Sequence, residues 1–563
     1  MSKTNKFSRR DFIKSAAVAS AGVAAVGMLG SVSPAPAAAA SLPDKWGFEA
    51  DVIVVGSGPA GMACAASAAE NKASVIVVEA NDKIGGKGVL AGGNLGIGGG
   101  TRMQKARGYE ESADIIYQDR TDWTLRTDKT MTVRDVDGGK HTIGQWRRIA
   151  GAEDADGLSR VFADRSLDTW NWLDKMGCPF IRANVSEYSL VYRGTRYFTT
   201  TKPSPVNREG KASDMRAGGA GLIWPMYDVA KKNGTQFFLK HKMTKIIRAD
   251  GDRAGRVLGI QVTNAGKTLF FRAKKAVFLG TGSWNGNNNL KKLFLPWLVK
   301  YPHISGEPYV FNDGMGIQMG IDAGASLTTD RGSDWHGWHR HPGTHWHSID
   351  YPYGIPGTAD PDPSHCIFVN ALGKRFMNEE IGEDNPAWVG GNPPFYFAQI
   401  CALQPTNEHG PIVWIVMDED ARMKKRLEFN PGKNVEADMY GTAATIAELA
   451  AKIKVPAEAL GDAVAKYNSL VAGGKDTDWG KRTMASKIEK PPFHAVMWGI
   501  QKHNTLGGLT INPQAQVMDW NSQVIPGLYA AGECAGGMDL IGLARPIVFG
   551  RVAGEWAAKE KAV

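Results

Sequence analysis

The chain has 563 residues, 43% of them hydrophobic and 22% charged, with 67 glycines. That length exceeds one ordinary domain and the composition is globular, which excludes a disordered or single-module protein. The formal charge of +9 has no basic block behind it, so nucleic-acid binding drops out, and five scattered cysteines without C-x-x-C or C-x-x-C-H exclude a haem or iron–sulfur site of the usual kinds.

Residues 1–40 read as a targeting segment. Arg9 and Arg10 precede a weakly apolar, Ala-rich run to about Val32, and Ala38-Ala39-Ala40 offers a small-residue cleavage site. This order resembles a twin-arginine (Tat) export signal, so the Tat machinery is an expected partner and the periplasm or another extracytoplasmic space the expected location. The segment carries a net +4, leaving +5 on the mature chain.

A β-branched run, Asp51 to Val55, leads straight into Gly56-Ser57-Gly58-Pro59-Ala60-Gly61. An Ala-rich helix is predicted from about Met62 to Ala69, then a second buried strand, Ser74 to Val78, ending in Glu79. Strand, glycines, helix, strand and acid in this order form a dinucleotide fingerprint. Gly56 serves the tight turn, Gly58 the approach of the pyrophosphate and Gly61 the packing of helix on strand. Glu79 is spaced to bond a ribose hydroxyl. A second glycine cluster follows, with Gly85, Gly86, Lys87 and Gly88, then Gly92 and Gly93.

Further along, Lys242 to Asp250, Arg256 to Asn264 and Thr268 to Ala273 read as strands. The stretches 354–365 and 380–395 read as loops. Thr442 to Lys454 has helical periodicity, with Thr445-Ile446-Ala447-Glu448 as a capping box, and Pro456 to Leu470 gives another helix.

Taken together, Val78-Glu79 with Gly85-Gly86, Val277 to Gly282, Ile367 to Asn370 with Gly373-Lys374-Arg375-Phe376-Met377-Asn378-Glu379, Leu506 to Leu509, Gly527 to Glu533 and Phe549 to Gly554 carry a resemblance. The chain resembles the flavoprotein subunits of fumarate reductase and succinate dehydrogenase, in the branch with soluble flavocytochrome fumarate reductases, urocanate reductases and 3-ketosteroid dehydrogenases. The resemblance implies an α/β fold: a discontinuous Rossmann-like FAD-binding domain, 48–335 and 496–563, with an inserted α+β capping domain, 336–495. It implies non-covalent FAD, since residues 85–100 contain no histidine for a covalent link. The implied cofactor set is Gly56, Gly58, Pro59, Ala60, Gly61, Glu79, Gly85, Gly86, Lys87, Gly92, Gly93, Met243, Thr281, Gly282, Gly532, Glu533, Pro546 and Ile547. The last helix, starting near Leu543, is expected to aim its N-terminus at the flavin pyrimidine, with Arg545 adding a full charge there.

The fumarate constellation itself is incomplete. Four residues after Glu379 stands Glu383 where the family has arginine, the family's H-H-T is His503-Asn504-Thr505, and residues 537–543 offer no substrate arginine. A dianion needs paired cations, so fumarate is not the expected substrate. In their place lies an aromatic, histidine-rich stretch, Trp335 to Tyr353, suited to a bulky or aromatic substrate. Its histidines follow no standard metal spacing, so no metal is expected. Candidate proton carriers are His341, His347, Tyr351, Tyr353 and His503.

The expected function is hydride transfer between flavin N5 and a C–C bond activated by a carbonyl or carboxylate, as an enoate or enone reductase or a ketone desaturase. A small-molecule substrate and a separate electron-transfer protein (cytochrome, FMN protein or quinone-linked) are the expected partners. The alternatives are a flavin electron-transfer subunit docking to a cytochrome and an oxidase using oxygen directly.

Overall fold

The computed structural model describes residues 42–91, 93–106, 111–121, 132–134, 140–142, 157–185, 197–201, 218–300, 312–329, 334–338, 363–379, 404–407, 410, 412–424, 427–431, 437–538 and 542–563. The export segment, Gly92, the stretch 339–362, which holds His341, His347, Tyr351 and Tyr353, and the loop 380–395 lie outside the described residues.

Strand β1 (Phe48–Val55) runs into helix α1 (Pro59–Glu70) and on to β2 (Val75–Val78). All four residues of β2 are buried, as its unbroken apolar run requires of a strand covered on both faces. After helices α2 (Leu158–Lys175) and α3 (Ala220–Lys232) come β3 (Gln236–Phe238), β4 (Lys242–Arg248), β5 (Val257–Asn264) and β6 (Lys267–Leu279). The two segments read separately as Thr268 to Ala273 and Val277 to Leu279 are thus one strand. The polar pair Lys274-Lys275 stays within it, with Lys274 reaching outward to Glu49 and Lys275 bonding the Ala558 carbonyl.

Among the described residues this sheet has eight strands. Its parallel core joins β1 to both β2 and β6, β2 to β3, and β6 to β13 (Val524–Ala530), a strand from near the other end of the chain. The antiparallel partners are β12 (Gln516–Met518) beside β13 and the β4–β5 pair beside β6. In register Val55 faces both Leu279 and Val78, and Leu279 faces Ala530. Four parallel strands therefore end along one line, where open α/β sheets bind ligands. The last helix, α7 (Ala544–Lys559), lies backbone to backbone on α1, with Gly550 over the Ala60 carbonyl and Gly554 over that of Cys64.

A second sheet is antiparallel: β7 (Asp334–Trp338), β8 (Ile367–Val369), β9 (Ile412–Met417), β10 (Tyr440–Ala443) and β11 (Phe493–Asn504). Helices α4 (Glu419–Lys424), α5 (Ile446–Lys452) and α6 (Ala457–Ala472) belong to the same stretch of chain. The capping box forms: Thr445 accepts from the Glu448 amide, and Glu448 accepts from that of Thr445. The helical periodicity from Thr442 overshoots, because Tyr440–Ala443 pairs with β11 and only then does the chain turn into α5.

The R-F-x-N-E motif forms a buried ion cluster. Arg375 gives Nε and Nη2 to Glu379, both at 2.7 Å, and Nη2 also to Asp476 at 2.7 Å. Lys481 meets Glu379 at 3.2 Å, and the Phe368 amide closes on the same carboxylate. Both cations lie over the Tyr467 ring.

A second polar chain crosses the start of β11. The Tyr440 hydroxyl donates to His494 Nδ1 at 2.7 Å, and Nε2 donates to Glu419 at 2.8 Å, which Arg422 grips with two nitrogens. Burial pulls the His494 pKa down, against the raising pull of Glu419 and Asp418 and with the lowering push of Arg422. The imidazole is therefore neutral in the fold. A histidine depressed below its ordinary 6.5 contributes stability above that pH and loses it as the pH falls through this window. Unfolding monitored from pH 7.5 to 5 is expected to show this loss, and His494→Gln, which keeps a donor and an acceptor, is expected to remove most of the slope.

Candidate functional site

The site is built where the parallel strands end. Gly56 N donates to the Val78 carbonyl and Gly280 N to that of Val55, so the turns after β1 and β6 cross in contact. Gly61 sits against Gly56: a Cβ on Gly61 would lie 1.9 Å from the Gly56 oxygen. Only glycine lets α1 come this close to the turn that precedes it.

Gly58 differs. It caps α1 with no side-chain bond, and a Cβ built on it would meet nothing nearer than the Gly85 oxygen at 4.0 Å. Gly86 lies across from it, its own Cβ position 3.5 Å from the Gly58 Cα. Beside Gly58 there is room that the described residues do not fill, next to first-turn amides that have no partner within the helix. This matches a pyrophosphate held at a helix N-terminus, so the residues present fit FAD.

The acid at the end of β2 is held from three sides. Glu79 Oε2 accepts from the Ser57 amide at 2.8 Å and the Ser57 hydroxyl at 2.7 Å, and Oε1 accepts from the Asn81 amide at 2.8 Å. The Ser57 hydroxyl also accepts from the Gly85 amide at 3.0 Å, which joins the first glycine turn to the second. Glu79's carbonyl accepts from the His241 amide, just ahead of the buried Met243 in β4.

From the far end of the chain, Gly532 comes between Ala60 and Pro546, a Cβ there being 3.3 Å from each of theirs. Glu533 bonds Lys87 at 3.1 Å and accepts from the Thr505 amide at 3.0 Å. Thr281 donates to the thiol of Cys534, which burial pushes up to about 11, so this cysteine stays protonated and unreactive near neutrality. Ile547 is buried in α7, while Gly282 and Gly93 both take left-handed backbone in their turns. Apart from Gly92 and Gly93, the expected cofactor residues thus lie near the strand ends or in the turns and helix starts beside them.

Arg545 stands at the expected helix start and is held there by backbone carbonyls. It is buried at the start of α7, and its terminal nitrogens bond three carbonyls: Met538 at 3.0 Å, Thr505 at 3.2 Å and Gly532 at 3.1 Å. It is a strut that fixes the chain around the helix start, and its charge acts from that fixed position. Thr505 is consequently gripped on both sides, by Glu533 through its amide and by Arg545 through its carbonyl.

The backbone of His503 sits near the end of β11. Asp334 pairs with Asn504 and Trp335 with Lys502, so His503 is the extra residue of a bulge, a device that commonly turns a side chain toward an active site. Ser57, Thr505 and Cys534 are the contacts that sequence reading missed. Only Thr505, next to His503-Asn504, carried a signal, its place in the H-N-T triplet.

The model of the FAD binding domain family matches residues 51–542. The cytochrome-type fumarate reductase of Shewanella frigidimarina is 28% identical over 515 residues, covering 90% of this chain and 77% of the relative. Urocanate reductase of Eggerthella lenta is 26% identical over 536 residues, 92% of this chain and 76% of the relative. The crystal structure of 3-ketosteroid-Δ4-(5α)-dehydrogenase from Rhodococcus jostii RHA1 superposes with a TM-score of 0.66 at 24% identity, covering 93% of this chain and 99% of that one.

Proposed function

The chain belongs to the FAD binding domain family, and from that premise we propose that it is an exported FAD-dependent oxidoreductase acting on a C–C bond next to a carbonyl or carboxylate, with a bulky or aromatic substrate other than fumarate. The bound flavin supplies hydride exchange at N5. The observation that carries the reading is that four parallel strands end together beside the first turn of α1, where Gly86 packs against Gly58 and the Gly58 Cβ position meets no described atom nearer than 4.0 Å.

The chain's own residues then divide the work. The α1 N-terminus and Gly58 take the pyrophosphate, Glu79 a ribose hydroxyl, and the α7 start with fixed Arg545 favours negative charge on the flavin pyrimidine. Residues 336–495 act as a cap that excludes water from the reacting carbon. His503, His341, His347, Tyr351 and Tyr353 are the proposed proton carriers. Support for His503 is its bulged backbone position, one residue from Asn504 and two from the gripped Thr505. A fumarate site lacks support because Glu383 and Asn504 stand where cationic or imidazole groups would hold a dianion. Export through the Tat route and a separate electron-transfer protein complete the proposal.

The test is anaerobic flavin absorbance on the mature protein. The reduced enzyme is mixed with enoates, enones and cinnamate-like acids, and the oxidised enzyme with their saturated partners. Reoxidation by one unsaturated compound, or bleaching by one saturated compound, is the expected result and names the direction. A flavin that no compound shifts would overturn the proposal in favour of an electron-transfer subunit docking to a cytochrome.

A further inference from the structure

We propose that Ser57 is a positioning residue for the cofactor: it locks the ribose-binding acid and the second glycine turn into one preformed cradle. The inference rests on the FAD reading and adds a residue that no glycine fingerprint specifies. Ser57 is 0% exposed, yet every polar atom it can offer to the cradle is engaged. Its amide and its hydroxyl both donate to Glu79 Oε2, and the hydroxyl oxygen receives the Gly85 amide.

A hydroxyl has one proton to give and lone pairs to receive, so it can serve an acceptor and a donor at once. Neither alanine nor glycine can do this. The consequence for Glu79 is directional. An ionised carboxylate has about four acceptor positions, and Ser57 and Asn81 fill three of them. One position on Oε1 remains for a ribose hydroxyl, and the carboxylate cannot rotate to offer another. The consequence for Gly85 is positional. Its amide is tied to the first turn, which holds the following Gly86 packed against Gly58. The groups that meet the ribose and the pyrophosphate are therefore in place before the ligand arrives, and preorganisation of this kind raises affinity by sparing the ordering cost.

The test uses the flavin-loaded holoenzyme. Dilution of wild type and Ser57→Ala, with flavin fluorescence reporting release, is expected to give a release rate about tenfold faster in the variant, the worth of one buried hydrogen bond. On heating, the variant is expected to release flavin well before its backbone unfolds by circular dichroism, with a smaller gap in wild type. Ser67→Ala is the matched control, since Ser67 is equally buried in α1 but bonds the Arg551 carbonyl away from the cradle. If Ser57→Ala behaves like that control, with an unchanged release rate and both melting signals falling together, Ser57 merely packs and the proposal fails. Should Ser57→Ala not accumulate, Ser57→Gly removes the same hydroxyl without adding an atom. A wild-type protein that carried no flavin would defeat the FAD reading itself, not the assignment of Ser57.

Discussion

Replacing Gly58 by valine is expected to give a folded, colourless protein. Among the described residues the nearest atom to a Cβ at this position, chain neighbours aside, is the Gly85 oxygen at 4.0 Å, so the fold has room for the side chain. The room is where the cofactor's phosphates would approach α1, and valine methyls would occupy it. The expected flavin occupancy after purification falls by at least about a hundredfold, since a displaced pyrophosphate loses several charge-assisted bonds at once. Circular dichroism and gel filtration should match those of wild-type protein stripped of flavin. Gly61→Val supplies the contrast. Its Cβ would lie 1.9 Å from the Gly56 oxygen, so that variant should fail to fold, whereas Gly58→Val fails only to bind. A yellow Gly58→Val protein with normal occupancy would remove the pyrophosphate from this place.

The second large effect is expected at Glu379. Its buried carboxylate joins Arg375 and Lys481, and Asp476 balances the remaining charge. The Arg375 and Lys481 cations and the Phe368 amide hold the Glu379 pKa well below the ordinary 4.5, overcoming a burial that pushes the other way. Glu379→Ala leaves two buried cations facing one anion. Breaking such a cluster from one side costs about 3–5 kcal/mol, far more than losing a surface pair. Denaturant unfolding should register that loss in the structure built around β8 and α6. The sign with pH follows from the depressed pKa: the contribution is complete above 4.5 and is lost as the pH drops toward about 2. Glu379→Gln keeps the shape and one acceptor, so its cost should fall between wild type and alanine. An alanine variant as stable as wild type would mean that the cluster does not hold this part of the chain together.

The parts of the site that were legible in sequence are those fixed by the local backbone. Gly61 has a steric reason five residues away, at the Gly56 carbonyl, Gly56 takes left-handed backbone in the turn, and strand and helix on either side announce themselves by their apolar runs. Contacts between distant segments were not legible. Nothing in Ser57 says that it will bond Glu79, because serine is common wherever a turn needs a small polar residue. Arg545 was legible as part of a helix start, but the three carbonyls that hold it were not. Deep burial obliges a guanidinium to find acceptors, and three carbonyls from separate turns were the ones at hand. The merging of β6 escaped notice because two lysines in a strand look like punctuation until their reach to Glu49 and Ala558 is known.

The interleaving of β13 and α7 with β1 and α1 also orders events during synthesis. The ribosome makes the first glycine turn hundreds of residues ahead of Gly532, Glu533 and the helix that rests on α1. Until then the edge of β6 waits without β13, and α1 waits without the helix that covers it. The site is therefore whole only once both distant segments have been made, and a message cut short before codon 524 would yield a product lacking both the closing strand and the closing helix.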